Sequence, residues 1–227
     1  MYLLIVGAPR SGTTLLASMV GSHTDVAMLI EDRVFSIKKL TGKKILANKL
    51  CIPIQLELKQ KANYFTRGLQ KLGLLKNFSV SRYNSEDYLA LENIKIIGII
   101  RDGNHVVRSI IKRGKKSKAI AMGRWNRAIE IISGLKKKNG DKMLVVSYED
   151  LVKEPEQLLR KISSFLEIDF EPQMLEGYKH NILYPGENGI DKSRAQQSES
   201  KVITATSAKQ HSVNELYNQL LEIKINP

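Results

Sequence analysis

The junction at residues 2–20 constrains this chain more than any other feature. An apolar run, Tyr2-Leu3-Leu4-Ile5-Val6, reads as a buried strand. Gly7-Ala8-Pro9-Arg10-Ser11-Gly12-Thr13-Thr14 follows as a glycine-bearing turn, and Leu15-Leu16-Ala17-Ser18-Met19-Val20 continues as a helix. The first N–H groups of such a helix have no intrahelical acceptor, and they carry the positive end of its dipole. A strand that feeds directly into a helix N-terminus therefore builds a seat for an anion. Gly7 and Gly12 allow the backbone to curl around that anion.

The spacing resembles the phosphate-loop pattern G-x-x-x-x-G-K-[ST], with Thr13 in place of the lysine. That lysine serves β/γ-phosphate chemistry, so its absence argues against ordinary ATP or GTP hydrolysis. Positive charge enters earlier, on Arg10, with the Thr13 and Thr14 hydroxyls as further donors. A ligand-free glycine turn is the alternative.

A second strand, Ile94–Ile100, ends in Arg101-Asp102-Gly103-Asn104-His105-Val106-Val107-Arg108-Ser109, with Arg113 beyond. Arg101 falls at the strand's C-terminal end, where open α/β sheets bind ligands. Ser109 and Arg113 are four apart and share a helix face. A guanidinium fork and a serine hydroxyl suit a phosphate monoester. Two anion sites on two strands fit a ligand with two separated phosphate-like groups.

Together with Ser147-Tyr148-Glu149-Asp150-Leu151, Pro155 and the helix after it, these segments resemble sulfotransferases that use 3′-phosphoadenosine 5′-phosphosulfate (PAPS). The likeness covers about residues 2–33 and 94–172 and is strongest to the tyrosylprotein, Golgi-type branch. It implies an α/β fold, a phosphate-loop-like parallel sheet flanked by helices, and no required metal. It implies that Arg10, Ser11, Gly12, Thr13 and Thr14 hold the 5′-phosphosulfate, that Arg101, Ser109 and Arg113 hold the 3′-phosphate, and that Ser198 contacts PAPS. Glu31 falls on the catalytic base and Arg33 on an acceptor-side arginine. Arg10 would also stabilise the leaving phosphate. The family's second acceptor-side arginine is replaced by Ile37, and its sulfate-contacting lysine has only Arg82 as a stand-in. Glu149 and Asp150 read as structural, capping the next helix and holding the phosphate loop. Glu31 alternatively starts a helix with Asp32, and Arg33 is alternatively a surface residue.

At 227 residues and 42% hydrophobic content, one domain over 1–227 is expected. The alternating Lys/Gln and apolar residues of 43–76 predict a helical insertion over about 43–92, and the polar stretch 191–209 predicts a lid within a tail of about 184–227. Helices are expected at 117–138, 156–166 and about 211–223, and strands at 2–7, 94–100 and 142–147. This βα alternation predicts parallel crossovers. Trp125 reads as a core anchor, and the lone Cys51 as a small core residue. One cysteine excludes an intrachain disulfide and suggests a reduced, cytoplasmic setting. No apolar run approaches the twenty residues of a membrane span, and the opening run lacks the basic leader of a signal peptide.

The net charge of +13 suits a multiply anionic co-substrate. Lys136–Lys138 precede Asn139-Gly140 and read as a solvated helix end. The run Lys112–Lys118 is a second helix end, or attracts an acidic peptide, a glycan or a membrane surface. Nothing in the chain interleaves basic and aromatic residues for nucleic acid. The expected reaction is sulfuryl transfer from PAPS to a hydroxyl of a peptide, carbohydrate or small molecule, leaving the bisphosphate PAP. A kinase using Asp102 to hold Mg²⁺ and a non-catalytic nucleotide-binding module are the alternatives.

Overall fold

The computed structural model describes residues 1–33, 35–56, 85–180 and 207–225. They form a five-stranded parallel sheet in the order β2-β3-β1-β4-β5. The strands are β1 (Tyr2–Gly7), β2 (Val26–Ile30), β3 (Ile45–Cys51), β4 (Ile94–Ile100) and β5 (Met143–Ser147). The helices are α1 (Thr13–Gly21), α2 (Ser85–Leu89), α3 (Gly103–Gly114), α4 (Lys118–Asn139), α5 (Tyr148–Lys153), α6 (Pro155–Leu166) and α7 (Ala208–Ile225).

A parallel sheet needs a crossover after each strand, and the crossovers bury both faces. Alternate residues of each strand therefore enter different cores. Leu4, Val6, Ile96 and Val145 pack on one face with Trp125, Ile132 and Tyr217 of α4 and α7. Leu3, Ile5, Ile97 and Val146 pack on the other with Leu16, Met19, Leu151 and Ile162 of α1, α5 and α6. Trp125 is 1% exposed, so the anchor reading of the indole holds. Gly140 ends the α4 crossover at φ 50°, and Lys136 donates to its carbonyl at 3.0 Å, as the helix-end reading expects. Lys112 and Arg113 likewise occupy the last turn of α3.

The helical insertion expected over about 43–92 is corrected at its start. Residues 45–51 are β3, a strand inserted between β2 and β1, and β2 was not anticipated either. Asn48 and Lys49 interrupt the apolar run of β3 and disguise it, yet both are 0% exposed. Each is buried against a polar partner at the site, and the local pattern yields to that requirement. Within the expected insertion, residues 57–84, which include Arg82, lie outside the described residues. So do residues 184–206 of the expected tail, with Ser198; its end is helix α7, which begins at Ala208.

Candidate functional site

Because all five strands run one way, their C-terminal ends share an edge, and the loops carrying Arg10 to Thr14, Glu31 and Arg101 leave the strands there. The loop after β1 is internally braced. Ser11 donates from both its backbone N–H and its hydroxyl to the Ala8 carbonyl, at 3.1 and 2.7 Å. Its 1% exposed side chain therefore shapes the loop. Gly12 sits at φ 91°, and a Cβ there would collide with Cδ2 of Tyr148. Glycine is required here by conformation and by the aromatic ring beneath it, rather than by the anion alone.

The two anion stations are physically joined. Nε of Arg10 donates to the Ser109 hydroxyl at 2.9 Å, and Nη1 of Arg101 donates to the Arg10 carbonyl at 3.0 Å. The Arg101 guanidinium lies 3.8 Å from the centroid of the Tyr148 ring, and the Trp125 indole N–H donates to the Arg101 carbonyl at 3.1 Å. Tyr148 thus floors both loops, Gly12 on one side and Arg101 on the other. Ser109 is half-buried on α3, while Arg113 is exposed one turn further on.

Glu31 follows β2 directly, at φ 59°, with its N–H donating to the Lys49 carbonyl at 2.8 Å. It does not begin a helix, so that alternative is set aside. The ammonium of Lys49, its side chain wholly buried, donates to Glu31 Oε1 at 2.7 Å. The Gln55 amide donates to Oε2 at 2.5 Å. Cys51 Sγ lies 3.7 Å from Oε1, 3.6 Å from Lys49 Nζ and 3.7 Å from the Thr13 hydroxyl, which links the cluster to the start of α1. Burial alone would raise the Glu31 carboxyl. The hydrogen bond and charge of Lys49, with Gln55, outweigh that and leave it below the ordinary carboxylate value. Burial pushes the Cys51 thiol up, which fits a packed thiol rather than a nucleophile.

Lys49, Tyr148 and Gln55 escaped the sequence reading as site residues. A lysine with Asn48 inside an otherwise apolar run was the available signal, since a charge in a central strand must meet a partner. Arg33 is exposed beyond Glu31. Ile37 is 0% exposed, so the position of the missing second arginine belongs to the core.

The structural reading of Glu149 and Asp150 holds in kind but not in target. Ser147 caps α5, accepting from Asp150 N–H at 3.1 Å. Glu149 accepts from the Asp102 N–H at 3.2 Å, bracing the Arg101 loop instead of the phosphate loop. Asp150 pairs with Lys224 of α7 at 2.7 Å. Asp102 is 2% exposed and caps α3, accepting from His105 N–H at 3.0 Å. Only Oδ1 makes that cap; Oδ2 is buried with no hydrogen-bond partner among the described residues.

A family model described as sulfotransferase domain matches residues 2–202. The chain belongs to the sulfotransferase domain family. Sulfotransferase domains of the curacin biosynthetic pathway and of the Synechococcus PCC 7002 olefin synthase share its fold. Their TM-scores are 0.64 and 0.62, at 16% and 20% identity, over 95% and 96% of this chain and 96% and 94% of theirs. Among curated relatives, the sulfotransferase domain is 29% identical to the protein-tyrosine sulfotransferase of Drosophila melanogaster, over 88% of this chain and 44% of that protein. It is 28% identical to protein-tyrosine sulfotransferase 1 of Danio rerio, over 88% of this chain and 62% of that protein. The chain thus spans roughly half of the fly relative's length and about three-fifths of the fish relative's. Among the described residues no helix is long and apolar enough to cross a membrane.

Proposed function

We propose that this sulfotransferase domain transfers the sulfuryl group of PAPS to the hydroxyl of an acceptor, with peptidyl tyrosine the first acceptor class to test. The observation that carries the reading is the tie from Arg10 to both Ser109 and Arg101, which makes one continuous anion track along the strand ends. Such a track matches a nucleotide with a phosphosulfate at one end and a phosphate at the other. The cluster of Glu31 and Lys49 stands at the same edge. The names of the curated relatives support tyrosine as acceptor. The buried Ile37 separates this chain from an acceptor site with two arginines.

In this reading the acceptor oxygen bonds to sulfur, the bond from sulfur to the 5′-phosphate oxygen breaks, and the hydroxyl proton passes to Glu31. Glu31 is held ionised and ready to receive it. Lys49, a buried cation beside that carboxylate, takes the part of the sulfate-contacting lysine that the sequence reading left to Arg82. Arg10 and the N-terminal N–H groups of α1 face the leaving phosphate as preorganised donors. Thr13 at the position of the phosphate-loop lysine weakens the kinase alternative.

Thermal shift with PAP, ATP and GTP tests the nucleotide, and selective stabilisation by PAP is expected. Labelled PAPS with a tyrosine peptide, a carbohydrate and a simple phenol, read by mass spectrometry, tests the acceptor. Glu31→Gln should lower turnover by about 10²–10⁴ with PAP affinity little changed. Stabilisation by ATP or GTP rather than PAP would favour the kinase, and an active Glu31→Gln enzyme would remove Glu31 as base.

A further inference from the structure

We propose that Gln55 is a positioning residue for Glu31: its side-chain amide clamps the carboxylate to the end of β3 and fixes the direction in which the base faces the acceptor. The proposal rests on the reading of Glu31 as the base.

Gln55 is 5% exposed and tied to Cys51 twice. Its backbone N–H donates to the Cys51 carbonyl at 2.7 Å, and its side-chain Oε1 accepts from the Cys51 N–H at 2.6 Å. The second tie settles the orientation of the amide, since only an oxygen can face that N–H. The amide nitrogen must then point the other way, and it meets Glu31 Oε2 at 2.5 Å. The side chain is a rigid strut from the backbone of the central sheet to one oxygen of the carboxylate.

Lys49 holds the other oxygen, but the two contacts differ in kind. Lys49 is a cation, and an anionic group entering beside it competes for its ammonium. Gln55 is neutral and has no comparable attraction to that anion. It is the contact that keeps Glu31 in place while Lys49 turns to the ligand. Oε1 faces both Lys49 and Cys51, but Oε2 keeps a lone pair beyond the Gln55 bond, so clamping leaves room to accept a proton. Among the described residues, the titratable and charged groups facing Glu31 are Lys49 and Cys51, both from β3; Thr13 of α1, which touches Cys51, is neutral. Gln55 is therefore the nearer of two uncharged donors that favour the ionised form of the base, the Cys51 thiol being the other.

The test replaces Gln55 with Met, which keeps the length and removes both polar ends, and with Glu, which keeps Oε1 but sets a second carboxylate against Glu31. The Glu31 carboxyl is followed by ¹³C-NMR titration of Glu-labelled protein, assigned with Glu31→Gln. Turnover is followed with PAPS and an acidic tyrosine peptide, and PAP affinity by calorimetry. In Gln55→Met the Glu31 titration should move to higher pH, because a donor to the ionised form is gone. In Gln55→Glu it should move further, because like charges resist joint ionisation. Turnover should fall about tenfold or more in either variant, with PAP affinity retained. Adding Gln55→Met to Glu31→Gln should cost nothing further, since the strut then has no base to hold. A Glu31 titration that does not move, with turnover unchanged, would overturn the strut while leaving Glu31 as base. An active Glu31→Gln enzyme would overturn the base reading and the strut with it.

Discussion

Arg101 reaches back from the end of β4 and donates to the carbonyl oxygen of Arg10, 3.0 Å away on the first loop. The residue expected at one phosphate thus also sets the backbone of the loop expected at the other. Arg101→Ala should weaken PAP binding by about 2–4 kcal/mol, since a charged partner of a phosphate is lost. Arg101→Lys should recover little, because a lysine neither forks nor stacks as a guanidinium does on the Tyr148 ring. Calorimetry with PAP and with adenosine 5′-phosphosulfate separates the two effects. Loss of the 3′-phosphate contact alone penalises only PAP, whereas loosening of the first loop penalises both.

Lys49→Met removes a wholly buried cation whose partner, Glu31, keeps 31% of its side-chain surface in water. The carboxylate can rehydrate, so the fold should tolerate the change better than a fully buried pair would. Turnover should fall about 10²–10³-fold, the cost of removing one preorganised charge from a transition state. The Glu31 carboxyl should rise, since its main lowering partner is gone. Single-turnover kinetics and a thermal melt read the two consequences separately. A large drop in melting temperature with little change in turnover would assign Lys49 to the fold alone.

Gly12→Ala should destabilise the domain by about 1–3 kcal/mol before any ligand is considered, through the left-handed φ of 91° and the collision with Tyr148. Urea denaturation without ligand measures this. Unchanged stability with lost PAP binding would instead place the glycine's importance wholly in the anion's space.

Glu149 makes a prediction about pH. Burial raises its carboxyl above the ordinary value of 4.5, despite its hydrogen bonds and the nearby Arg101 charge. A raised carboxylic acid is most favourable to folding when protonated. Its contribution is full below about 4.5 and is lost as pH climbs through the folded value. Glu149→Gln can still accept from the Asp102 N–H and carries no charge to bury. The variant should melt a few degrees above the parent at pH 8, and the gap should close toward pH 4. A gap that is the same at both pH values would mean that the carboxyl's ionisation is not what burial penalises.

How legible all this was in the sequence depended on where polarity fell. β1 and β5 are apolar almost throughout, and β4 is broken only by Lys95, whose ammonium reaches out to Phe165 and Glu167, so the helices that follow them are correspondingly plain. The loop of Arg10 to Thr14 and the segment of Arg101 to Ser109 stood out because glycine, arginine and hydroxyls cluster next to those strands. β3 did not stand out, because the residues that matter most to the site, Asn48 and Lys49, break its pattern. Their partners are set by tertiary pairing: Lys49 meets Glu31 across the register of β2 and β3, and Asn48 donates to Tyr88 at 2.7 Å. The Tyr88 hydroxyl, buried there, is pushed up to about 12. No local window of sequence contains those pairs. Gln55 was invisible for the same reason, since a buried glutamine is recognisable only once the carboxylate it holds has been located.

Trp125 is the only tryptophan in the chain, and its indole N–H is bonded to the carbonyl of Arg101. The long-wavelength part of the protein's ultraviolet emission therefore comes from a single fluorophore bonded to the loop that follows β4. Any ligand that shifts that carbonyl alters the indole's polar contact and with it the colour and intensity of the light. On the proposed reading of Arg101 as a phosphate contact, the indole would serve as an unlabelled optical gauge of co-substrate binding, readable in real time in a stopped-flow cell.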